Sequence, residues 1–252
     1  MDIITLASGS EGNCTLIRTK ETAVLVDIGI SCRRTTAFLK EVGVSPEEIS
    51  AIFVTHEHID HVKGIPLFSK KYNIKVAAIK DIWRFNLLSV PDHLRVDIRR
   101  RMRLNDMEIE AFETAHDTLY PVGFTFFDGK HKVGVATDTG YVTAAMAQSL
   151  ENVNCLLIEA NHDENMLMKG SYPYHLKQRI LSKKGHLSNN DCGEFLAMRA
   201  SKGTKIILGH LSEENNTPEV ALNTVRSKLA RYNKADFCKI YTAPRLAPSL
   251  YA

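Results

Sequence analysis

Between Thr55 and His61 the chain reads Thr-His-Glu-His-Ile-Asp-His, which places three imidazoles and two carboxylates within six residues. Imidazole and carboxylate donors suit a borderline divalent ion such as zinc, and this spacing fits two ions better than one. The apolar run from Ile49 to Val54 reads as a buried strand, and the stretch from Val62 to Leu67 as the start of a helix. On a strand end, His56 and His58 would face the same way, because side chains alternate with period two. Asp60 and His61 would follow on the next turn, displaced toward a second position.

A two-ion centre needs more ligands than this stretch supplies, so other His and Asp residues at strand ends become candidates. His116 follows the strand-like run Ile109 to Thr114. Asp138 ends the run Val133 to Thr137 and precedes Thr139-Gly140; it could equally cap the next helix. His210 follows Ile206-Ile207-Leu208-Gly209, and Asp27 sits just before the strand-breaking Gly29. An Asp in such a place reads first as a polar turn after a strand. His186, in Gly185-His186-Leu187-Ser188-Asn189, precedes a helix whose backbone N–H groups would favour an anion, or merely precedes its cap. His162 lies beside Glu159 and Asn161, where it could line a pocket or hydrogen-bond a loop.

The elements that must position these residues fall into a pattern. An opening antiparallel meander covers Ile3–Ala7, Cys14–Arg18 and Ala23–Ile28, followed by a helix over Arg33–Val42 and a capping box at Ser45-Pro46-Glu47-Glu48. After the histidine cluster come a helix to Tyr72, a strand at Lys75–Ile79 and a helix over Asp81–Ser89. The secondary structure of Arg95–Arg103 is not settled by its pattern. Three strands follow, at Met107–Thr114, Val122–Phe127 and Lys132–Thr137, the last two joined by a turn at Asp128-Gly129. Helices over Thr143–Leu150, Tyr174–Ser182, Asn190–Ala200 and from Thr217-Pro218 to Tyr232 then alternate with strands at Val153–Glu159, Lys205–Leu208 and Asp236–Tyr241. This order fits an α/β protein of two sheets covered by helices on their outer faces, in one domain spanning residues 1–252.

Composition narrows the function classes. With 44% hydrophobic and 24% charged residues the chain is an ordinary globular one, and a net charge of +3 does not by itself demand a polyanionic partner. The dense basic run Arg95, Arg99, Arg100, Arg101 and Arg103 could meet phosphates, although Asp92, Asp97 and Asp106 dilute it and a solvated face is the alternative. Five scattered cysteines without a C-x-x-C pair disfavour a disulfide framework or thiolate site. Neither a signal peptide nor an apolar stretch of membrane-spanning length is evident, so a cytoplasmic location and no membrane partner are expected.

Thr55-His56-x-His58-x-Asp60-His61, a lone His after a strand, Thr137-Asp138-Thr139-Gly140, a late strand ending in His, and Val26-Asp27-x-Gly29 together resemble the metallo-β-lactamase superfamily. That resemblance covers the chain from the first strand to about Glu219. It implies the four-layer αβ/βα sandwich of two mixed sheets, with two divalent ions, zinc or manganese foremost, at the edge between them. His56, His58, His116 and Asp138 would hold one ion; Asp60, His61, His210 and a bridging Asp138 the other; Asp27 would orient ligands. The interval between Asp138 and His210 is too short for the β-CASP insertion of some nucleases in this superfamily. Ser8-Gly9-Ser10-x-Gly12-Asn13, Glu159-Ala160-Asn161-His162-Asp163, Gly185-His186-Leu187-Ser188-Asn189 and His210-Leu211-Ser212-x-x-Asn215-Asn216 further resemble the YycJ/WalJ group of DNA exonucleases acting 5′ to 3′. By that resemblance a hydroxide bridging the ions attacks phosphorus in a DNA strand, Asp60 holds the proton of the nucleophile, and His186 serves the phosphate or leaving group. His162 and Asn215 are candidates for substrate contact. Hydrolysis of a small cyclic phosphodiester or a thioester by the same ions is the alternative, and a non-catalytic metal-binding domain a further one. Oligomeric state has no signature in the sequence.

Overall fold

In the computed structural model, which describes residues 1–251, the first half of the chain runs β1 (Asp2–Ala7), β2 (Cys14–Arg18), β3 (Ala23–Val26), α1 (Cys32–Glu41), β4 (Ile49–Phe53), α2 (Ile59–Val62), α3 (Ile65–Tyr72), β5 (Lys75–Ala78), α4 (Lys80–Arg84) and β6 (Arg95–Asp97). The second half runs β7 (Arg101–Leu104), β8 (Met107–Glu113), β9 (Val122–Phe127), β10 (Lys132–Ala136), α5 (Ala144–Ser149), β11 (Cys155–Glu159), α6 (Glu164–Lys169), α7 (Tyr174–Ile180), α8 (Asn189–Arg199), β12 (Lys205–Gly209), α9 (Pro218–Arg231), β13 (Lys239–Thr242) and β14 (Ser249–Leu250). Each half starts with antiparallel strands joined by short turns and ends with parallel strands that require crossovers. The parallel pairs are β3–β4, β4–β5 and β5–β6 in one sheet, and β10–β11, β11–β12 and β12–β13 in the other. Both sheets have seven strands, in the orders β14-β1-β2-β3-β4-β5-β6 and β13-β12-β11-β10-β9-β8-β7.

Period-two alternation sorts the side chains into three apolar layers. Ile4, Leu16, Leu25, Ile52 and Val76 face outward, onto Leu39 of α1 and Ile65 and Phe68 of α3. Their neighbours Ile3, Ile17, Val24, Phe53 and Ala77 face inward, against Phe124, Phe126, Val135, Leu157 and Ile207 of the other sheet. On the far side, Leu156, Ile158, Ile206 and Leu208 pack beneath Met146 of α5, Leu196 of α8 and Val225 of α9. The result is the αβ/βα sandwich of two mixed sheets expected from the sequence.

The differences in detail have local causes. The helix expected over Asp81–Ser89 stops at Arg84, where Asn86 turns left-handed (φ 51°) just past its end. The basic run becomes the edge strands β6 and β7, which carry the chain from one sheet to the other. The β9–β10 connection falls where the sequence placed it, over residues 128–131, and is held by the Asp128 carboxylate, which accepts the backbone N–H groups of Lys130 and His131 at 2.9 and 2.7 Å. Pairing at the chain's end is placed differently: β13 starts at Lys239, and β14 adds to the edge of β1.

Candidate metal centre

Six imidazoles close into a ring at the C-terminal ends of the parallel strands. Going round from His58, successive ring centroids lie 4.7 Å to His56, 4.1 Å to His61, 6.0 Å to His210, 5.2 Å to His186, 5.0 Å to His116 and 5.1 Å back to His58. The carboxylate of Asp138 reaches across the ring, 3.1 Å from His61, 3.3 Å from His210, 3.6 Å from His186 and 3.7 Å from His116.

Several distinct backbone devices bring these side chains together. The histidine cluster lies beyond the end of β4 rather than on it: His56 is in the loop and His58 caps α2. Loop geometry, not strand alternation, therefore turns both inward. Hydrogen bonds knit this loop to the meander, with Asn13 N–H donating to the Asp60 carbonyl at 2.8 Å and Ile28 N–H to that of His61 at 2.8 Å. Gly29 is required here, because a Cβ at that position would stand 1.7 Å from the Asp60 carbonyl oxygen. Among the described residues, eight other than glycine have positive φ; five are asparagines, and the remaining three are Asp27, Asp138 and His210. Each of these three lies just past a strand (β3, β10 and β12), where a left-handed step swings its side chain across the sheet edge. Such steps cost about 1–3 kcal/mol and concentrate at functional sites.

Hydrogen bonding fixes which nitrogen each ring offers. His116 donates its Nδ1–H to the Gly185 carbonyl (2.9 Å), since a carbonyl can only accept, and so turns Nε2 toward the Asp138 carboxylate. The Nδ1 of His61 and of His210 lie 2.7 and 2.9 Å from the carboxylates of Asp27 and Glu159. Thr55 donates its hydroxyl to Asp27 at 2.7 Å and stands 3.0 Å from Nδ1 of His56, ready to accept from it. Partners of this kind orient metal-binding imidazoles and raise their basicity. His56 Nε2 and His210 Nε2 are buried without a hydrogen-bond partner, and buried Asp138 Oδ2 has His61 Nε2 at 3.1 Å, an arrangement a folded chain tolerates where an ion takes the lone pairs. One ligand atom each from His56, His58 and His116 lie within 4.8 Å of one another, as do those from Asp60, His61 and His210; Asp138 groups with His56 and His61 and, separately, with Glu159, His186 and His210.

Electrostatics favour the same use. Although burial works against its charged form, the carboxylates of Asp138 and Asp27 push His61 up to about 10. Against the same penalty, Asp138, Asp60 and Glu159 hold His210 well above the ordinary imidazole range. Burial and the neighbouring His61 drive His56 well below that range, so it stays neutral. A pocket that draws positive charge this strongly would exchange those protons for divalent ions.

Two residues were not among the sequence candidates. Glu159, fully buried at the end of β11, accepts from Nδ1 of His186 at 2.7 Å and of His210 at 2.9 Å, and from the backbone N–H groups of Thr139 and Leu187 at 2.9 and 3.2 Å. It offsets its burial so well that it is held down to about 2. An acidic residue ending an apolar strand, as Asp138 does, was the available signal. Asp117 stands 3.3 Å from His116 Nε2 and is gripped by Arg179 of α7. At the start of α8, whose N–H groups were expected to favour an anion, Asn189 N–H donates to the His162 carbonyl at 2.9 Å and Asp191 N–H to the Ser188 hydroxyl at 3.1 Å. His162 and Asn215 stay outside the ring; both are fully buried, with no hydrogen-bond partner on any side-chain nitrogen or oxygen. Of the arginine run, Arg95 pairs with Asp92 and lies over Trp83, while Arg100 and Arg101 approach Glu110 at 3.7 Å. A cleft of about 180 Å³ opens beside His116 and His186. A larger hollow of about 660 Å³ on the outer face of β7–β10 contains no ring residue.

Imidazoles and carboxylates gathered at the edge between two sheets, with lone pairs turned inward, define a metal-dependent hydrolase of the αβ/βα sandwich class. The chain belongs to the metallo-beta-lactamase superfamily, which its residues 7–147 match. Over 97% of its length it is 39% identical to a Streptococcus pneumoniae protein named exodeoxyribonuclease WalJ, covering 95% of that protein. It is also 36% identical to exodeoxyribonuclease YycJ of Bacillus anthracis, over 89% of this chain and 87% of that one. In fold it is similar to the metallo-beta-lactamase fold protein YhfI of Bacillus subtilis, with a TM-score of 0.74 and 17% identity over the full length of both chains. No helix among the described residues is long and apolar enough to cross a membrane.

Proposed function

We propose that the protein is a two-ion phosphodiesterase that degrades DNA from an end, in the 5′ to 3′ direction. The observation that carries this reading is a ring of gathered ligand residues, with His56 Nε2 and His210 Nε2 buried and unpaired, in a chain that matches exodeoxyribonucleases nearly end to end. His56, His58 and His116 with Asp138 would hold one ion, and Asp60, His61 and His210 with Asp138 the other. Two such ions, when bound, activate water and neutralise charge on a phosphate, and zinc or manganese suits the donors. Asp60, held below the ordinary carboxyl range against its burial by His210 and His61, stays ionised and accepts the proton of the attacking water. His186 is anchored through Nδ1 by Glu159, which leaves Nε2 on the cleft side; despite burial, that carboxylate raises its affinity for a proton. A protonated imidazole at this position meets the phosphate oxygen or the leaving group.

The test is cleavage of end-labelled single-stranded and duplex DNA, with and without a 5′-phosphate, in manganese, magnesium or zinc. Metal-dependent release of nucleotides starting at the 5′ end, abolished by His56→Ala, is expected. Cleavage that ignores metal, or a His56→Ala variant as active as its parent, refutes the reading. Bound metal of one ion or fewer per chain refutes the two-ion arrangement.

A further inference from the structure

We infer that the cleft beside the ring is a terminal-nucleotide pocket in which Tyr172 and Arg179 hold the end of a DNA strand, and that α7 thereby makes the enzyme act from ends. This rests on the DNA phosphodiesterase reading above and adds residues to it. One wall of the cleft belongs to the centre itself, through His116 and His186. Tyr172, Leu176, Arg179 and Ile180, from α7 and the turn before it, form the facing wall. An apolar wall with a phenol ring suits a nucleobase, since every base has a face that stacks on an aromatic ring. Asn161 and Ser212 also line the cleft as polar groups, and Asn161 is fixed there because its Nδ2 donates to the His210 carbonyl at 2.9 Å.

Arg179 is aimed by Asp117. Its Nε and Nη2 sit 2.7 and 2.6 Å from Asp117 Oδ2, whose partner oxygen lies 3.3 Å from His116 Nε2. The guanidinium fork therefore already holds an anionic oxygen at the lip of the ring. A carboxylate and a phosphate present similar edges to arginine, so a backbone phosphate can replace or share Asp117 on the same fork. The wall itself is braced: Lys177 Nζ donates to the carbonyls of Met168 and Gly170 at 2.8 and 2.7 Å, tying α7 to α6. With about 180 Å³ between this wall and the ring, the cleft has room for one unstacked base, with its phosphate left at the lip beside Arg179. On this inference α7 stands across the path of a strand continuing past the centre.

The experiment compares a linear single-stranded DNA with a covalently closed circle of the same sequence, using the metal-loaded parent, Tyr172→Ala, Arg179→Ala and Arg179→Lys. Bis(4-nitrophenyl) phosphate, which has no strand to position, is the reference substrate. The parent should degrade the linear strand and leave the circle intact. Each alanine variant should lose roughly tenfold in kcat/KM on the linear strand relative to the reference diester, mainly through KM. Arg179→Lys should recover little, because an ammonium cannot form the fork. Opening of the circle at a rate near that of the linear strand would overturn the inference, as would equal losses on both substrates or none. If the parent hydrolyses the small diester but no DNA, the DNA reading itself falls and this pocket with it. If DNA is degraded and the variants match the parent, only the pocket assignment falls.

Discussion

Glu159→Gln is the sharpest single perturbation of the centre. The carboxylate accepts from two imidazoles and two backbone N–H groups, and the amide that replaces it must turn an NH₂ toward some of those donors. A carboxyl held at about 2 against an ordinary 4.5 carries about 3 kcal/mol of preference for its charged form. Breaking a buried pair by removing one partner costs about 3–5 kcal/mol, which agrees. For a chain of this size each kcal/mol shifts Tm by roughly 2–4 °C, so metal-stripped Glu159→Gln should melt about 6–12 °C below its parent at pH 7. The folded-state pKa is depressed, so this contribution is present above the ordinary 4.5 and disappears as pH falls through about 2. The gap in Tm should therefore narrow on acidification. Calorimetric titration should also show metal binding weakened by about 10–100-fold, because His210 loses the partner that fixes its ring. A variant melting within about 2 °C of its parent at pH 7, with unaltered metal affinity, would refute the role assigned to Glu159.

Other outcomes follow from the same geometry. Gly29→Ala puts a Cβ into the Asp60 carbonyl, so the His58–His61 loop must move; a loss of at least about 1–3 kcal/mol in chemical denaturation, with fewer ions bound per chain, is expected. Phe124→Ala empties the space between the sheets, where Phe124 meets Phe53 edge to face at 5.6 Å, and should cost about 3–5 kcal/mol in the same assay without altering metal stoichiometry. In the metal-free protein, His61 has a raised folded-state pKa, so its stabilising contribution is complete below the ordinary 6.5 and is lost as pH rises through about 10. Melting of metal-stripped protein should accordingly fall between pH 7 and 10, and a flat profile there would contradict the charge balance of the ring.

Much of this protein was legible along the chain because its signals are local. Alternation within Ile3–Leu6, Val24–Val26 and Leu156–Ile158 marks strands buried on both faces, which in turn implies helices outside and a second sheet inside. The run from His56 to His61, and His116, Asp138 and His210 after apolar strands, mark where ligand-type side chains leave the sheets. Tertiary structure alone decided how those exits meet. Three of the turning residues adopt left-handed backbone at Asp27, Asp138 and His210, a conformation no pattern of polarity announces. Glu159 is an acidic residue at the end of a strand until the parallel pairing of β11 with β10 and β12 brings its carboxylate to Thr139 and His210. Arg179 and Asp117, likewise, are distant in sequence and meet only because α7 folds back over the loop after β8. Residue type and strand periodicity are properties of neighbours in the chain, so the sequence by itself determined the layers and the donor chemistry. The ring, its charge balance and the cleft beside it are properties of neighbours in space, which packing of the two sheets had to create.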